Sequence, residues 1–166
     1  SEMPPFFGNK LKALGGNPKN SMLVRFGATK TVGGVKISTV PALHTNGLNP
    51  AFIGGDLGKA MKAAGFSGYV GGATGYILQF TNGLVAYLSG DTGMTAEQDK
   101  VVRGYYKAEL VVINIGDTYT TGPKEAAYVI NDMIKPASVI ASHANEPATK
   151  GGKVIAGTRT AAFMNA

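Results

Sequence analysis

Three side chains that could bind a metal ion stand beside predicted strands. His44 and His143, the two histidines of the chain, each follow a strand, and Asp91 follows a third strand between Gly90 and Gly93. Open α/β sheets bind their ligands beyond the carboxyl ends of the strands. Imidazole nitrogens and carboxylate oxygens are ligands that zinc, manganese and iron accept. A single histidine at a strand end is more often structural, so the coincidence of three such positions is what predicts a metal site.

Asp91 ends the stretch around which the fold is predicted to form, residues 74–93. Two apolar strands at residues 76–80 and 84–88 flank a turn that contains Asn82 and Gly83. Asn-Gly between two apolar runs is a strong signal for a β-hairpin. The second strand leads directly into the loop that carries Asp91, and a carboxylate that only caps the following helix is an equally good interpretation of that residue.

The remaining patterns predict a sheet with helices packed on it. Glycines at 33 and 34 predict the turn of a hairpin over residues 30–41, and Thr95 with Gln98 forms a capping box at a helix start. Further strands are predicted at residues 22–26, 110–115 and 138–142, and helices at 56–64, 95–106 and from Pro123 to the stop at Pro136. Alternating strands and helices indicate an α/β layered fold, and 166 residues fit a single domain, residues 1–166.

The composition argues against several classes of partner. The net charge is +6, but the lysines and arginines are scattered and do not alternate with aromatic residues, so no nucleic-acid partner is expected. No apolar run reaches about 18 residues, so no membrane span is expected either. The chain has no cysteine, which excludes disulfides and thiolate metal sites but leaves a cytoplasmic and an exported location equally open.

Four segments, in chain order, resemble the later motifs of the metallo-β-lactamase superfamily. They are residues 40–44 (VPALH), 87–93 (YLSGDTG), 113–116 (INIG) with 122–127 (GPKEAA), and 142–146 (SHANE). The resemblance extends roughly from Arg25 to Phe163. It is nearest to the broad metal-dependent hydrolases of that superfamily, in particular to the ascorbate-phosphate lactonase group.

This resemblance implies an αββα sandwich with a two-metal centre at one edge. His44 matches a ligand of the first metal, Asp91 a carboxylate that bridges both metals, and His143 a ligand of the second. The resemblance also implies a hydrolase in which two divalent ions, zinc foremost and manganese or iron as alternatives, generate a hydroxide that attacks an ester, lactone, amide or phosphoester of a small molecule. Asp91 has a catalytic role in this scheme.

Three further residues are candidates for contact with the substrate. Asp117 is a second catalytic candidate that could orient the substrate, with Tyr119 and Asn145 beside it as substrate-binding residues. An Asx-turn before the following helix explains Asp117 equally well. The substrate itself is not predicted.

The chain also departs from the family pattern, because no histidine precedes His44. The His-x-His-x-Asp-His motif of the family is therefore missing, and with it half of the expected ligands. We expect either the C-terminal part of a longer hydrolase or a metal-free scaffold or binding subunit. The apolar strands at residues 76–80 and 110–115 favour the first, since they require a covering layer from a missing N-terminal segment, a partner chain or a homo-oligomer.

A different enzyme class shares the tripeptide at Asp91. Asp-Thr-Gly is also the sequence at which aspartic proteases carry one of two carboxylates that share a proton. Those enzymes are all-β proteins with this tripeptide early in the chain. The helix signals after residue 93 make this the weaker alternative.

Overall fold

The computed structural model describes residues 26–69 and 71–166, and a six-stranded sheet is its largest element. The strands are β1 Thr29–Val32, β2 Val35–Pro41, β3 Gly47–Leu48, β4 Gly68–Tyr69, β5 Thr74–Gln79, β6 Val85–Leu88, β7 Leu110–Asn114, β8 Ser138–Ser142, β9 Thr149–Lys150 and β10 Lys153–Val154. The helices are α1 Gly55–Ala63, α2 Pro123–Tyr128 and α3 Arg159–Met164, with π-helical turns at Gln98–Arg103 and Val129–Ile134 and a 3₁₀ turn at Pro50–Phe52.

The contacts divide the chain into two compact units. One contains residues 26–44 and 73–166, and it holds the whole six-stranded sheet. The described residues of the other are 45–69 and 71–72, which form the β3–β4 pair and α1. The single domain over residues 1–166 stays a prediction.

Strand direction in the large sheet decides where its functional edge lies. The strands lie in the order β1-β2-β5-β6-β7-β8. Neighbours from β1 to β6 pair antiparallel, whereas β6, β7 and β8 pair parallel. Consequently β2, β6, β7 and β8 all run in one direction and end at the same edge of the sheet. The layered α/β prediction is confirmed.

Both predicted hairpins are present. Residues 33 and 34 join β1 to β2, with Val32 paired to Val35. In the β5–β6 turn, Asn82 Oδ1 accepts a hydrogen bond from Leu84 N at 3.1 Å, and Gly83 takes a φ of +90° that favours glycine. The turn residues therefore fix the register of the strands that lead to Asp91.

One face of the sheet is the hydrophobic core. Ile77 of β5, Tyr87 of β6 and Val111 of β7 lie side by side in register and are buried. The helices add their own apolar side chains to the same cluster: Val102, Ala126, Ala127, Val129, Ile130, Ile134 and Phe163. Burial raises the pKa of Tyr87 to about 12, with a smaller contribution from Glu97, while a hydrogen bond with Gln98 opposes the shift.

The opposite face of the sheet carries a second apolar row. Tyr76, Leu88, Val112 and Ile140 are in register across β5, β6, β7 and β8. The first three are half-buried, and Ile140 is 53% exposed. The covering layer predicted for these strands stays a prediction.

The helices differ from the sequence expectation mainly in their winding. Gln98 Oε1 accepts a hydrogen bond from Thr95 N at 2.9 Å, as the capping box predicts, but the turns that follow are π-helical. The helix predicted at residues 56–64 is observed as α1, and the one that starts at Pro123 changes to π-helical turns at Val129. The strand predicted at residues 22–26 lies almost wholly outside the described residues. Within the described ranges, no helix has the length and apolar character to cross a membrane.

Candidate functional site

The shared edge of the sheet gathers most of the residues that the sequence singles out. His143 directly follows β8, whereas Asp91 lies three residues beyond β6 and Asp117 three residues beyond β7. His44 stands three residues beyond β2. Because these four strands run in the same direction, their loops meet at the carboxyl edge, where α/β sheets place their ligands.

Asp91 and His143 are in direct contact there. His143 Nδ1 lies 3.2 Å from Asp91 Oδ1. The His143 side chain is 40% exposed and that of Asp91 48% exposed, so both reach solvent at the edge. An imidazole nitrogen and a carboxylate oxygen at this distance are side-chain atoms of the two kinds that metal ions bind in proteins.

The loop of His44 is fastened to the loop of Asp91. Leu43 N donates a hydrogen bond to Thr92 Oγ1 at 2.9 Å, and Gly93 N donates to Leu43 O at 2.8 Å. However, over residues 26–69 and 71–166 no three side chains of histidine, cysteine, aspartate or glutamate are grouped so that they could hold a metal ion. The structure therefore joins Asp91 with His143 and leaves His44 outside a common ligand cluster.

The residues present fit a metal ion in chemistry but not in number. Two donors are in contact, whereas catalytic zinc sites use three protein ligands and an open position. The described residues do not form a complete metal site, and we derive no reaction step through a metal from them.

Asp117 lies in a tight turn, but not in the predicted Asx-turn, in which its side chain would accept a hydrogen bond from the N–H two residues on. Asp117 Oδ1 accepts a hydrogen bond from Thr118 N at 2.7 Å, and its carbonyl accepts one from Tyr119 N at 2.7 Å. Tyr119 is 80% exposed. Their roles at a substrate stay predictions.

Backbone strain is concentrated in the loops at this edge. Asp117, Thr118, His143 and Asn145 all have φ between 52° and 63°, in the left-handed region that residues other than glycine rarely adopt. Two of these loops also approach each other closely, because a Cβ on Gly116 would lie 2.5 Å from His143 O and 2.9 Å from Asn145 Nδ2. Such strain persists only where the surroundings impose it, and it is frequent at functional sites.

Sequence reasoning assigned no role to the polar cluster beneath these loops. Ser89, Thr92, Asn114 and Thr121 are all buried and hydrogen-bonded to one another. The feature of the sequence that could have indicated this cluster is Asn114, a polar residue at the end of the apolar run of β7. A buried polar group at a strand end requires partners, and those partners lie in the functional loops.

The chain is similar to a group of bacterial and archaeal proteins. It is 36% identical over 122 residues to a UPF0173 metal-dependent hydrolase of Polynucleobacter asymbioticus, covering 71% of this chain and 39% of the relative. A UPF0173 metal-dependent hydrolase of Methanosarcina barkeri is 35% identical over 117 residues, covering 70% of this chain and 44% of the relative. No family model matches the chain.

Solved structures show the same fold. A metallo hydrolase from the archaeon Ignicoccus hospitalis superposes with a TM-score of 0.56 at 22% identity, over 82% of this chain and 49% of that one. The metallo-β-lactamase fold protein YhfI of Bacillus subtilis superposes with a TM-score of 0.50 at 8% identity, over 74% of this chain and 42% of that one.

The sheet with its packed helices, together with the candidate ligands at its carboxyl edge, defines a protein with the metallo-β-lactamase architecture. The chain has the metallo-β-lactamase fold and is related in sequence to the UPF0173 metal-dependent hydrolases. It spans less than half the length of the curated relatives reported above. The aspartic-protease alternative for Asp91 is wrong, because parallel strands and packed helices replace the all-β fold that it requires.

Proposed function

We propose that this chain carries part of the metal site of a metal-dependent hydrolase. Asp91 and His143 are two of its ligands, and His44 is a third. The observation that supports this most is the 3.2 Å contact between Asp91 and His143 at the carboxyl edge of the sheet. The names of the relatives, metal-dependent hydrolases, agree with it.

The proposed centre holds one or two divalent ions, with zinc before manganese or iron because the ligands are nitrogen and oxygen. When bound, such an ion supplies Lewis acidity for hydrolysis of an ester, lactone, amide or phosphoester. Asp91, with two carboxylate oxygens, has the chemistry to bridge a pair of ions.

The remaining ligands come from outside the described residues in this proposal. A further segment of polypeptide, a partner chain or a second copy would supply them. Two ligands in contact at an exposed edge are open to such a contribution, since nearly half of each side chain is accessible.

The loops after β7 and β8 are proposed to meet a small-molecule substrate. Asp117, Tyr119 and Asn145 border the edge, and the Tyr119 ring projects into solvent. A phenol and an amide there provide both donors and acceptors for a polar substrate.

A second candidate is a metal-free binding subunit with the same fold. One observation favours it: the described part of the chain contains no cluster of three ligands. It differs from the hydrolase in two measurable properties, which are bound metal and metal-dependent turnover.

Turnover is tested on three model substrates: a p-nitrophenyl ester, a lactone and a phosphodiester. The protein, purified without denaturation together with any polypeptide that accompanies it, is assayed with zinc or manganese and again after chelation. Asp91→Asn and the control Asp56→Asn, whose carboxylate lies fully exposed on α1, are assayed in the same way. We expect hydrolysis of at least one substrate that is lost on chelation and in Asp91→Asn but retained in Asp56→Asn. Absence of metal-dependent turnover on all three would favour the binding subunit.

A further inference from the structure

Asn114 is a buried amide whose hydrogen-bonding capacity is fully used. It is the last residue of β7 and is 1% exposed. Its Oδ1 accepts from Thr92 N at 3.3 Å and lies 3.1 Å from Ser89 Oγ. Its Nδ2 donates to Thr92 O at 2.9 Å and to Thr121 Oγ1 at 2.7 Å. Because the backbone N–H of Thr92 only donates and its carbonyl only accepts, these partners fix the orientation of the amide.

These bonds hold the backbone on both sides of Asp91. Thr92, which follows it, is bonded through both its N–H and its carbonyl to the Asn114 amide. On the other side, Ser89 N donates to the carbonyl of residue 112 at 3.0 Å, and Gly90 has a φ of +61°. The backbone is therefore held at Ser89 and at Thr92, on either side of Asp91, whereas the Asp91 carboxylate stays exposed.

Asn114 and Thr92 also connect two further loops of the edge, those of Asp117 and His44. Thr121 N donates to Thr92 O at 3.0 Å, and Thr121 Oγ1 donates to Asn114 O at 2.9 Å, which anchors the loop that contains Asp117. Leu43 N donates to Thr92 Oγ1, which anchors the residue before His44. Three loops that carry candidate site residues are thus bonded to Asn114 directly or through one intermediate residue.

We infer that Asn114 is a positioning residue for Asp91 and, through the contact of Asp91 with His143, for metal affinity. It reaches neither metal nor substrate itself. An aspartate at this position could not donate to Thr92 O, and an apolar side chain would leave the buried N–H of Thr92 without its partner and remove one of the two hydrogen bonds at Thr92 O and at Thr121 Oγ1. The part of this inference that concerns metal affinity rests on the proposed function.

The test compares Asn114→Ala with Val111→Ala, a matched control on the same strand. Val111 is also fully buried, but it faces the apolar core. We expect amide hydrogen exchange at Thr92 and Thr121 to be faster by about tenfold or more in Asn114→Ala than in Val111→Ala. The dissociation constant for Zn²⁺ is expected to rise about tenfold or more in Asn114→Ala and to stay unchanged in Val111→Ala.

Equal exchange at these amides in the two variants would overturn the inference. If the wild-type protein binds no Zn²⁺, the proposed function fails, but the exchange comparison still decides whether Asn114 positions the loop. If Asn114→Ala does not fold, Thr121→Val replaces it, because this change removes the hydroxyl and keeps the shape. We expect faster exchange at Thr92 in Thr121→Val, and no change there would also overturn the inference.

Discussion

Strand β7 brings two kinds of buried environment next to each other. Ile113 is fully buried in the apolar cluster, and Asn114, the following residue, is buried to the same degree in a network of hydrogen bonds. The first environment is stabilised by removal of apolar surface from water, which has no preferred direction. The second depends on bonds with fixed distances and angles.

The difference shows that one part of the molecule provides stability and another part positions the candidate site residues. An apolar core tolerates exchanges that conserve volume, because its free energy depends on area and packing. A buried polar network does not, since each unpaired donor or acceptor costs a desolvation penalty. The core therefore stabilises the sheet, whereas the network at its edge holds the loop that carries Asp91.

The largest effect on the edge alone is expected from His143→Gln. This change removes the imidazole but keeps a polar side chain of similar length. We expect metal affinity to fall about 100-fold or more, because a proposed ligand is lost. The melting temperature should change little, because the side chain is partly exposed. Titration calorimetry with Zn²⁺ and a thermal melt measure both quantities, and unchanged affinity would contradict the ligand assignment.

Ile113→Ala removes apolar volume from the core and changes no side chain of the Asn114 network. The side chain is fully buried, so we expect a loss of about 2–5 kcal/mol in the free energy of unfolding. Ile113→Val is the matched control, for which about 0.5–1.5 kcal/mol is expected. Urea denaturation measures both. Equal losses in the two variants would show that the site is not packed as described.

Tyr87 combines the two kinds of environment, because its polar phenol group lies within the apolar core. Burial raises its pKa from 10.0 to about 12, so the folded state favours the neutral phenol. Its contribution to stability is complete below pH 10 and is lost as the pH rises towards 12, by roughly 3 kcal/mol in total. Relative to wild type, Tyr87→Phe should show a correspondingly smaller fall in the free energy of unfolding from pH 10 to pH 12.

Denaturation of both proteins at several pH values tests this. Parallel curves for wild type and Tyr87→Phe over that range would mean that the phenol titrates as it does in the unfolded chain.

A smaller effect on stability is expected from Gly116→Ala, which acts at the edge. The added Cβ would lie 2.5 Å from His143 O, so the backbone of one of the two loops must move. We expect a loss of about 1–3 kcal/mol in stability, together with weaker metal binding. Gly65→Ala changes a glycine with open space around it on the other unit and serves as the control for metal binding. Equal Zn²⁺ affinity in the two variants would contradict a role for close packing at Gly116.

The sequence allowed the framework of the sheet to be predicted because local signals specify it. Asn82 and Gly83 define the central hairpin, and β8 is observed with the predicted bounds, residues 138–142. The π-helical turns at Val129–Ile134 were not predictable, because apolar spacing at this helix fits wide and ordinary turns alike.

Only part of the candidate site at the edge of the sheet could be predicted from the sequence. Strand ends allowed Asp91 and His143 to be placed at one edge, and they are in contact there. The network at Asn114 joins residues that are 22 and 25 positions apart in the chain, and no local pattern encodes such pairings. Hydrogen-bond partners of this kind become visible only in three dimensions.

Native mass spectrometry of the purified protein with added Zn²⁺ tests the central claim, that Asp91 and His143 belong to a metal site. The account predicts the 17.1 kDa chain with bound divalent metal, alone or within a larger assembly, and loss of that metal in the Asp91→Asn/His143→Gln double variant. A wild-type protein that remains metal-free in every assembly state would contradict it.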